Sequence, residues 1–171
     1  MSAEAFITFA YGSNMLAARL QERCPSARAI GIAELSGHEL RWHKRSRDGS
    51  GKCDIAASAC TNVSVLGVLY EIAADEKRAL DRAEGLGAGY EEIEVEVLCD
   101  GSLSTAKAYR ATDTDPSLRP YTWYRALVIA GAREHGLPES YITRLESVPA
   151  EEDQDRVRHN ERMTLIAEVQ A

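Results

Sequence analysis

Residues 92–97 read Glu-Ile-Glu-Val-Glu-Val, a strict alternation of acidic and apolar side chains. A period of two puts Ile93, Val95 and Val97 on one face and the carboxylates on the other, so the segment predicts a strand with one buried face and one wet face. Asp100-Gly101 supplies a turn, and residues 105–110 pair back as a hairpin. A chain holding such a hairpin must bury a sheet face. Further strand candidates are 5–10, 27–35, 39–43, 54–59 and 65–71. Between them lie few helical stretches. Residues 15–23 carry Leu16 and Leu20 four apart, with Ser13 or Asn14 as the N-cap. Residues 74–83, with Asp75 as cap, stop at Gly85. Residues 122–134 stop at Gly136, with Pro138 just beyond, and 139–148 form one more helix. Residues 44–52 and 111–120 read as polar loops. Six or seven strands in succession with four short helices predict an α+β fold built on a sheet or small barrel.

No linker or repeat divides the chain, so residues 1–150 are expected to form one domain. Residues 151–171 read as a charged C-terminal tail, at most partly ordered until Met163-Thr164-Leu165. Hydrophobic residues make up 44% of the 171, enough to build a core. A net charge of −7 argues against a nucleic-acid binder, which would need a basic face. Met1-Ser2-Ala3-Glu4 lacks the pattern of a secretory leader, and no apolar run reaches the roughly 20 residues of a membrane span. A soluble, cytoplasmic protein is expected. Cys24, Cys53, Cys60 and Cys99 form no C-x-x-C pair and have no histidine at zinc-site spacing, so they read as reduced structural thiols, with Cys53 and Cys60 on opposite sheet faces. No metal or cofactor is expected.

Two segments could carry chemistry. Tyr11-Gly12-Ser13-Asn14 lies where a strand, a tight turn and a helix start meet. Unpaired N–H groups there can hold an anion or a polarised carbonyl, and Gly12 lets a ligand come close. An ordinary polar turn explains the same residues equally well. Glu84 stands immediately before the helix-ending Gly85. The negative end of the helix dipole disfavours an ionised carboxylate, so its pKa is expected to rise, as suits a general base. An exposed glutamate at a small energetic penalty is the competing reading.

Other patterns fail. Gly85-Leu86-Gly87-Ala88-Gly89 follows a helix and enters a strand, the reverse of a dinucleotide fingerprint. Gly49-Ser50-Gly51-Lys52-Cys53 lacks the spacing of a P-loop. His38, His43, His135 and His159 form no paired motif, no G-x-S-x-G elbow occurs, and Trp42 and Trp123 read as packing residues.

Taken in order, several stretches resemble the gamma-glutamylcyclotransferase family. Phe9-Ala10-Tyr11-Gly12-Ser13-Asn14-Met15 is similar to the family's F-A-Y-G-S-N-L. Gly67-Val68-Leu69-Tyr70, Leu80-Asp81-Arg82-Ala83-Glu84-Gly85, Tyr90 and the alternating strand follow. Tyr124 and Gly131-Ala132-Arg133-Glu134-His135-Gly136-Leu137-Pro138 end the match, close to G-A-x-x-x-G-L-P. The resemblance implies a small mixed β-barrel, closed or nearly so, with short helices around it. It implies Glu84 as the general acid/base. Tyr11, Gly12, Ser13 and Asn14 would cradle the glutamyl portion, and Tyr90 and Tyr124 would line the pocket. The interval from Glu84 to Tyr90 is a residue shorter than in the family, which would shift Tyr90. Asn14, where glutathione-specific relatives carry Leu, implies gamma-glutamyl amino acids or the gamma-glutamyl acyl groups removed in antibiotic pathways. The implied reaction closes a gamma-glutamyl substrate to 5-oxoproline and frees an amine, with no cofactor. The implied partner is that small molecule, with neither nucleic acid nor membrane, and a homodimer is left open. A non-catalytic barrel that binds an amino-acid-like ligand or a protein partner is the alternative.

Overall fold

The computed structural model describes residues 4–170. Met1, Ser2 and Ala3, read above for a leader, lie outside the described residues, as does Ala171. Seven strands occur: β1 (Ala5–Ala10), β2 (Arg28–Ser36), β3 (His38–Arg45), β4 (Gly51–Ala57), β5 (Ser64–Ala73), β6 (Tyr90–Cys99) and β7 (Ser102–Ala111). Five helices accompany them: α1 (Ala17–Gln21), α2 (Lys77–Glu84), α3 (Thr122–Glu134), α4 (Glu139–Glu146) and α5 (Arg156–Gln170).

Five strands close into a mixed barrel in the order β1-β5-β2-β6-β7. The alternating segment is the centre of β6. Val95, Val97 and Cys99 face the core while Glu94 and Glu96 face water, and the hairpin with β7 keeps register from Tyr90↔Ala111 to Cys99↔Ser102. β1 pairs antiparallel with β5 along its whole length and meets β7 in parallel at Thr8↔Lys107, which closes the ring. Strands β3 and β4 form a separate two-stranded ribbon. Phe9, Val68, Tyr70, Ile72, Val97 and Ala108 fill the core, which extends to α3 through Trp123, Leu127 and Val128. The expected α+β barrel with short helices is therefore the observed fold.

Local details differ from the sequence reading. The helix expected over 15–23 breaks in two. Ser13–Met15 forms a 3-10 turn, Leu16 is extended (φ −72°, ψ 116°), and α1 starts only at Ala17. Neither Ser13 nor Asn14 caps it through a side chain. The cause is packing: a Cβ on Gly131 of α3 would lie 2.6 Å from the Leu16 nitrogen and 2.7 Å from the Met15 Cβ, so α3 presses on the chain at this break. Asp75 likewise does not cap α2; it sits inside a 3-10 turn, Ala74–Glu76.

The polar loop expected over 44–52 shrinks to 46–50, because Lys44 pairs with Lys52 across the β3–β4 ribbon. The segment read as a charged tail contains α5, which packs on α3 with Leu165 buried and Met163 and Ile166 partly so. Its anchor is Asp153, buried, which accepts from Trp123 Nε1 at 2.8 Å and from Arg158 Nε and Nη2 at 2.6 and 2.7 Å. Charge hid this helix because the buried partner of its arginines lies just before it and its apolar contacts are few. Among the described residues, no helix is long and apolar enough to cross a membrane.

Candidate active site

β1 runs through the barrel and ends at Ala10, delivering Tyr11-Gly12-Ser13-Asn14 to one mouth. α2 follows β5 and ends beside them, because Gly85 takes the left-handed conformation (φ 70°, ψ 44°) that stops a helix. Glu84, the last residue of α2, is thereby set against Asn14. β6 starts at Tyr90, and the first turn of α3 contributes Tyr124. One cavity of about 50 Å³ brings together Tyr11, Gly12, Ser13, Asn14, Glu84, Tyr90 and Tyr124, with Cys53, Tyr109 and apolar residues completing its wall. Every residue singled out from the sequence thus meets at one place. Tyr90 lines the cavity despite the short interval after Glu84.

Glu84 is held in a three-way network. Its Oε1 accepts a hydrogen bond from Asn14 Nδ2 and another from Arg23 Nη1 at 3.3 Å. The same Arg23 nitrogen donates to Asn14 Oδ1 at 2.8 Å. The carboxylate side chain is 16% exposed. Its second oxygen has no hydrogen-bond partner among the described residues and keeps its lone pairs for a proton. Residues 12–14 add donors: among the described residues the N–H groups of Gly12, Ser13 and Asn14 meet no acceptor.

The tyrosines are locked by backbone. The Cys53 N–H donates to Tyr124 Oη at 3.1 Å, and Tyr90 Oη donates to the Cys53 carbonyl at 2.6 Å. Tyr11 Oη donates to the Tyr109 carbonyl, and Tyr109 Oη donates to Asp81 Oδ1 at 2.5 Å. Burial pushes the Tyr11, Tyr90 and Tyr124 hydroxyls well above the usual phenol range, so all three stay neutral. Burial likewise pushes the Cys53 thiol up, which leaves it protonated and a poor nucleophile. All four cysteines are free thiols, and Cys60 is exposed beyond the end of β4. No group of three or more His, Cys, Asp or Glu side chains among the described residues could hold a metal.

Sequence reasoning missed Arg23, Cys53 and Tyr109. Arg23 had no legible signal, since it meets Glu84 across 61 residues of chain. Cys53 had none, because the ribbon that carries it read partly as a loop.

A second chamber of about 200 Å³ adjoins the cavity and shares Ser13, Glu84, Tyr90 and Tyr124 with it. Its outer wall is basic. An amino-acid-sized group can sit between unpaired amides, a carboxylate with a free oxygen and neutral phenols, with an open side toward this chamber. That arrangement can bind a carbonyl, polarise it and move a proton beside it.

The AIG2-like family profile matches residues 64–145. The chain is 31% identical to human "Gamma-glutamylcyclotransferase" over 95% of this chain and 93% of that protein. It is 32% identical to the Bos taurus protein of the same name over 85% of this chain and 79% of the other. A solved structure titled "Gamma-glutamyl cyclotransferase" superposes with a TM-score of 0.84 at 28% identity, covering 96% of this chain and 99% of the other. With its barrel, the meeting of the Tyr11–Asn14 segment with Glu84, and these relatives spanning nearly its whole length, the chain belongs to the gamma-glutamylcyclotransferase family.

Proposed function

We propose that the protein converts a gamma-glutamyl amino acid to 5-oxoproline and a free amino acid, with Glu84 carrying the protons. The substrate's α-nitrogen forms a bond to its own γ-carbonyl carbon, and the bond from that carbon to the amide nitrogen breaks. Nucleophile and electrophile belong to one molecule, so holding them in a reactive pose supplies much of the rate. The α-ammonium gives up two protons in all, one before attack and one after. The leaving nitrogen gains two. Glu84 takes each proton on its unpartnered oxygen and hands it across, while Asn14 and Arg23 hold the other oxygen in place. The N–H groups of Gly12, Ser13 and Asn14 stabilise the oxyanion of the tetrahedral intermediate.

The observation that carries this reading is the pairing of Glu84 with Asn14. The acid of one motif is hydrogen-bonded to the cradle of the other, although 70 residues separate them. The buried, neutral Cys53 suits a reaction that needs no covalent nucleophile. Incubation with gamma-glutamyl-alanine and chromatographic detection of 5-oxoproline tests it. Equimolar 5-oxoproline and alanine are expected. If the dipeptide binds and is recovered intact, the barrel is a binding module instead.

A further inference from the structure

The outer chamber holds more positive charge than the fold itself uses. Arg19, Arg23, Lys44, Lys52, Arg158 and Arg162 line it, against the carboxylates of Asp48 and Glu84. Three of these cations have partners: Lys52 with Asp48 at 3.0 Å, Arg23 with Glu84 at 3.3 Å, and Arg158 with Asp153 at 2.6 Å. Arg19, Lys44 and Arg162 meet no carboxylate among the described residues.

Arg19 is the decisive case. It is only 8% exposed, and its Nε reaches neither water nor an acceptor. The Nε of Arg162 is buried and unpartnered in the same way. Burying a guanidinium without a counter-charge is costly, and the fold gains nothing visible in return. The like charges also strain one another. Burial, then Arg23 and Arg162, lowers the Arg19 pKa to about 10. Burial lowers Lys52 to about 8, with Arg19 and Lys44 adding to the effect and Asp48 opposing it. Lys44 lies over the Tyr90 ring at 4.6 Å and Arg162 over the Trp123 ring at 5.6 Å, but rings carry no counter-charge and an anion would supply it.

Resting on the reaction proposed above, we infer that this chamber is the subsite for the leaving amino acid, and that it favours a leaving group with two carboxylates, such as the glutamate of gamma-glutamyl-glutamate. With the glutamyl half in the inner cavity and the amide beside Glu84, the leaving half extends past Ser13, Tyr90 and Tyr124 into the chamber. The α-carboxylate of any leaving amino acid answers one of the three unpaired cations. An acidic side chain answers a second. A simple alkylamine answers none, and a polycationic amine of the aminoglycoside kind is repelled. Two of the six cations, Arg158 and Arg162, come from α5, so the C-terminal helix would set specificity while the barrel holds the chemistry.

The test compares 5-oxoproline release from gamma-glutamyl-glutamate, gamma-glutamyl-alanine, gamma-glutamyl-lysine and gamma-glutamyl-ethylamide. Expected is a kcat/KM for the glutamate substrate about tenfold or more above that for alanine, expressed mainly in KM and narrowing with added salt. Lysine and ethylamide should be poorer still. Arg162→Gln should bring the glutamate-to-alanine ratio toward one, and Arg162→Lys should restore part of it. Titration calorimetry with free L-glutamate and L-alanine gives a readout independent of turnover, with glutamate expected to bind the wild type more tightly than it binds Arg162→Gln. Turnover of all four substrates without charge preference would overturn the subsite and leave the cyclotransferase reading intact. Glutamate binding that depends on Arg162, with no turnover of any substrate, would sustain the subsite and sink the reaction. Absence of both would end both.

Discussion

At the residue scale the weight falls on Glu84 and Gly12. Gln keeps the shape of Glu84 and can still bond to Asn14 and Arg23, but it cannot carry a proton between nitrogens. Glu84→Gln is expected to lower kcat by roughly 10²–10⁴ while substrate binding is largely kept, measured by steady-state 5-oxoproline release and by calorimetry. Asp81, on the same helix, is a poor control, because it accepts from Tyr109 Oη and pairs with Lys77 and so supports the cavity wall. Glu94→Gln, exposed on the wet face of β6, controls for lost charge alone and should keep the rate. Gly12 leaves little space for a side chain: a Cβ there lies 3.0 Å from Tyr124 Oη and 3.1 Å from Cys53 Cβ. Gly12→Val is expected to keep the fold by circular dichroism and lose at least about 10²-fold in turnover, since valine's two further methyls displace substrate. Wild-type kinetics in this variant would mean that the turn is structural only. Both residues were legible in the sequence. Arg23, which holds Glu84 to Asn14, was not, because nothing in a linear pattern brings residues 23 and 84 together.

Among the elements, α5 packs on α3 and is anchored at its start by one buried carboxylate. Arg158 and Trp123 bond to Asp153, and the Arg158 guanidinium holds its carboxyl well below the ordinary value of 3.8. A depressed folded pKa means that the unfolded chain takes up the proton first. The stabilisation is therefore complete above about pH 5 and is lost as the pH falls below the ordinary value toward the lower folded one. Hydrogen exchange should find α5 opening before the barrel as pH drops below about 4. Asp153→Ala should produce the same opening at neutral pH, with a loss on the order of 3 kcal/mol, because it leaves Arg158 and the Trp123 N–H without their partner. Equal protection of α5 in variant and wild type would show that apolar contact alone holds the helix. The elements divide by how much of their order is local. β6 and the end of α2 were readable because alternation and a left-handed glycine act within a few residues. The break at Leu16 and the true extent of β3 and β4 were not, because Gly131 and the pairing of Lys44 with Lys52 impose them from elsewhere in the chain.

For the molecule as a whole, the proposed chemistry uses only side chains, backbone amides and the substrate's own amine. No ligand cluster for a metal occurs among the described residues. Turnover is therefore expected to survive exhaustive chelation, and activity lost in chelator and restored by one divalent ion would sink the mechanism. The amino-acid sequence by itself determined the fold class, the sided strand β6, the glycine that ends α2 and the two short segments that meet at the cavity. Each depends on side-chain period, on backbone conformations that glycine alone adopts readily, or on a short run of residues similar to a family motif. Tertiary structure alone decided that the barrel closes through a parallel contact at Thr8↔Lys107 and that Cys53 anchors two tyrosines. It also decided that the charged C-terminal segment is a helix bringing Arg158 and Arg162 to the chamber. A burial pattern read along the chain records which side of an element is dry. It carries no record of which distant element does the covering, and here that choice placed six cations around one chamber.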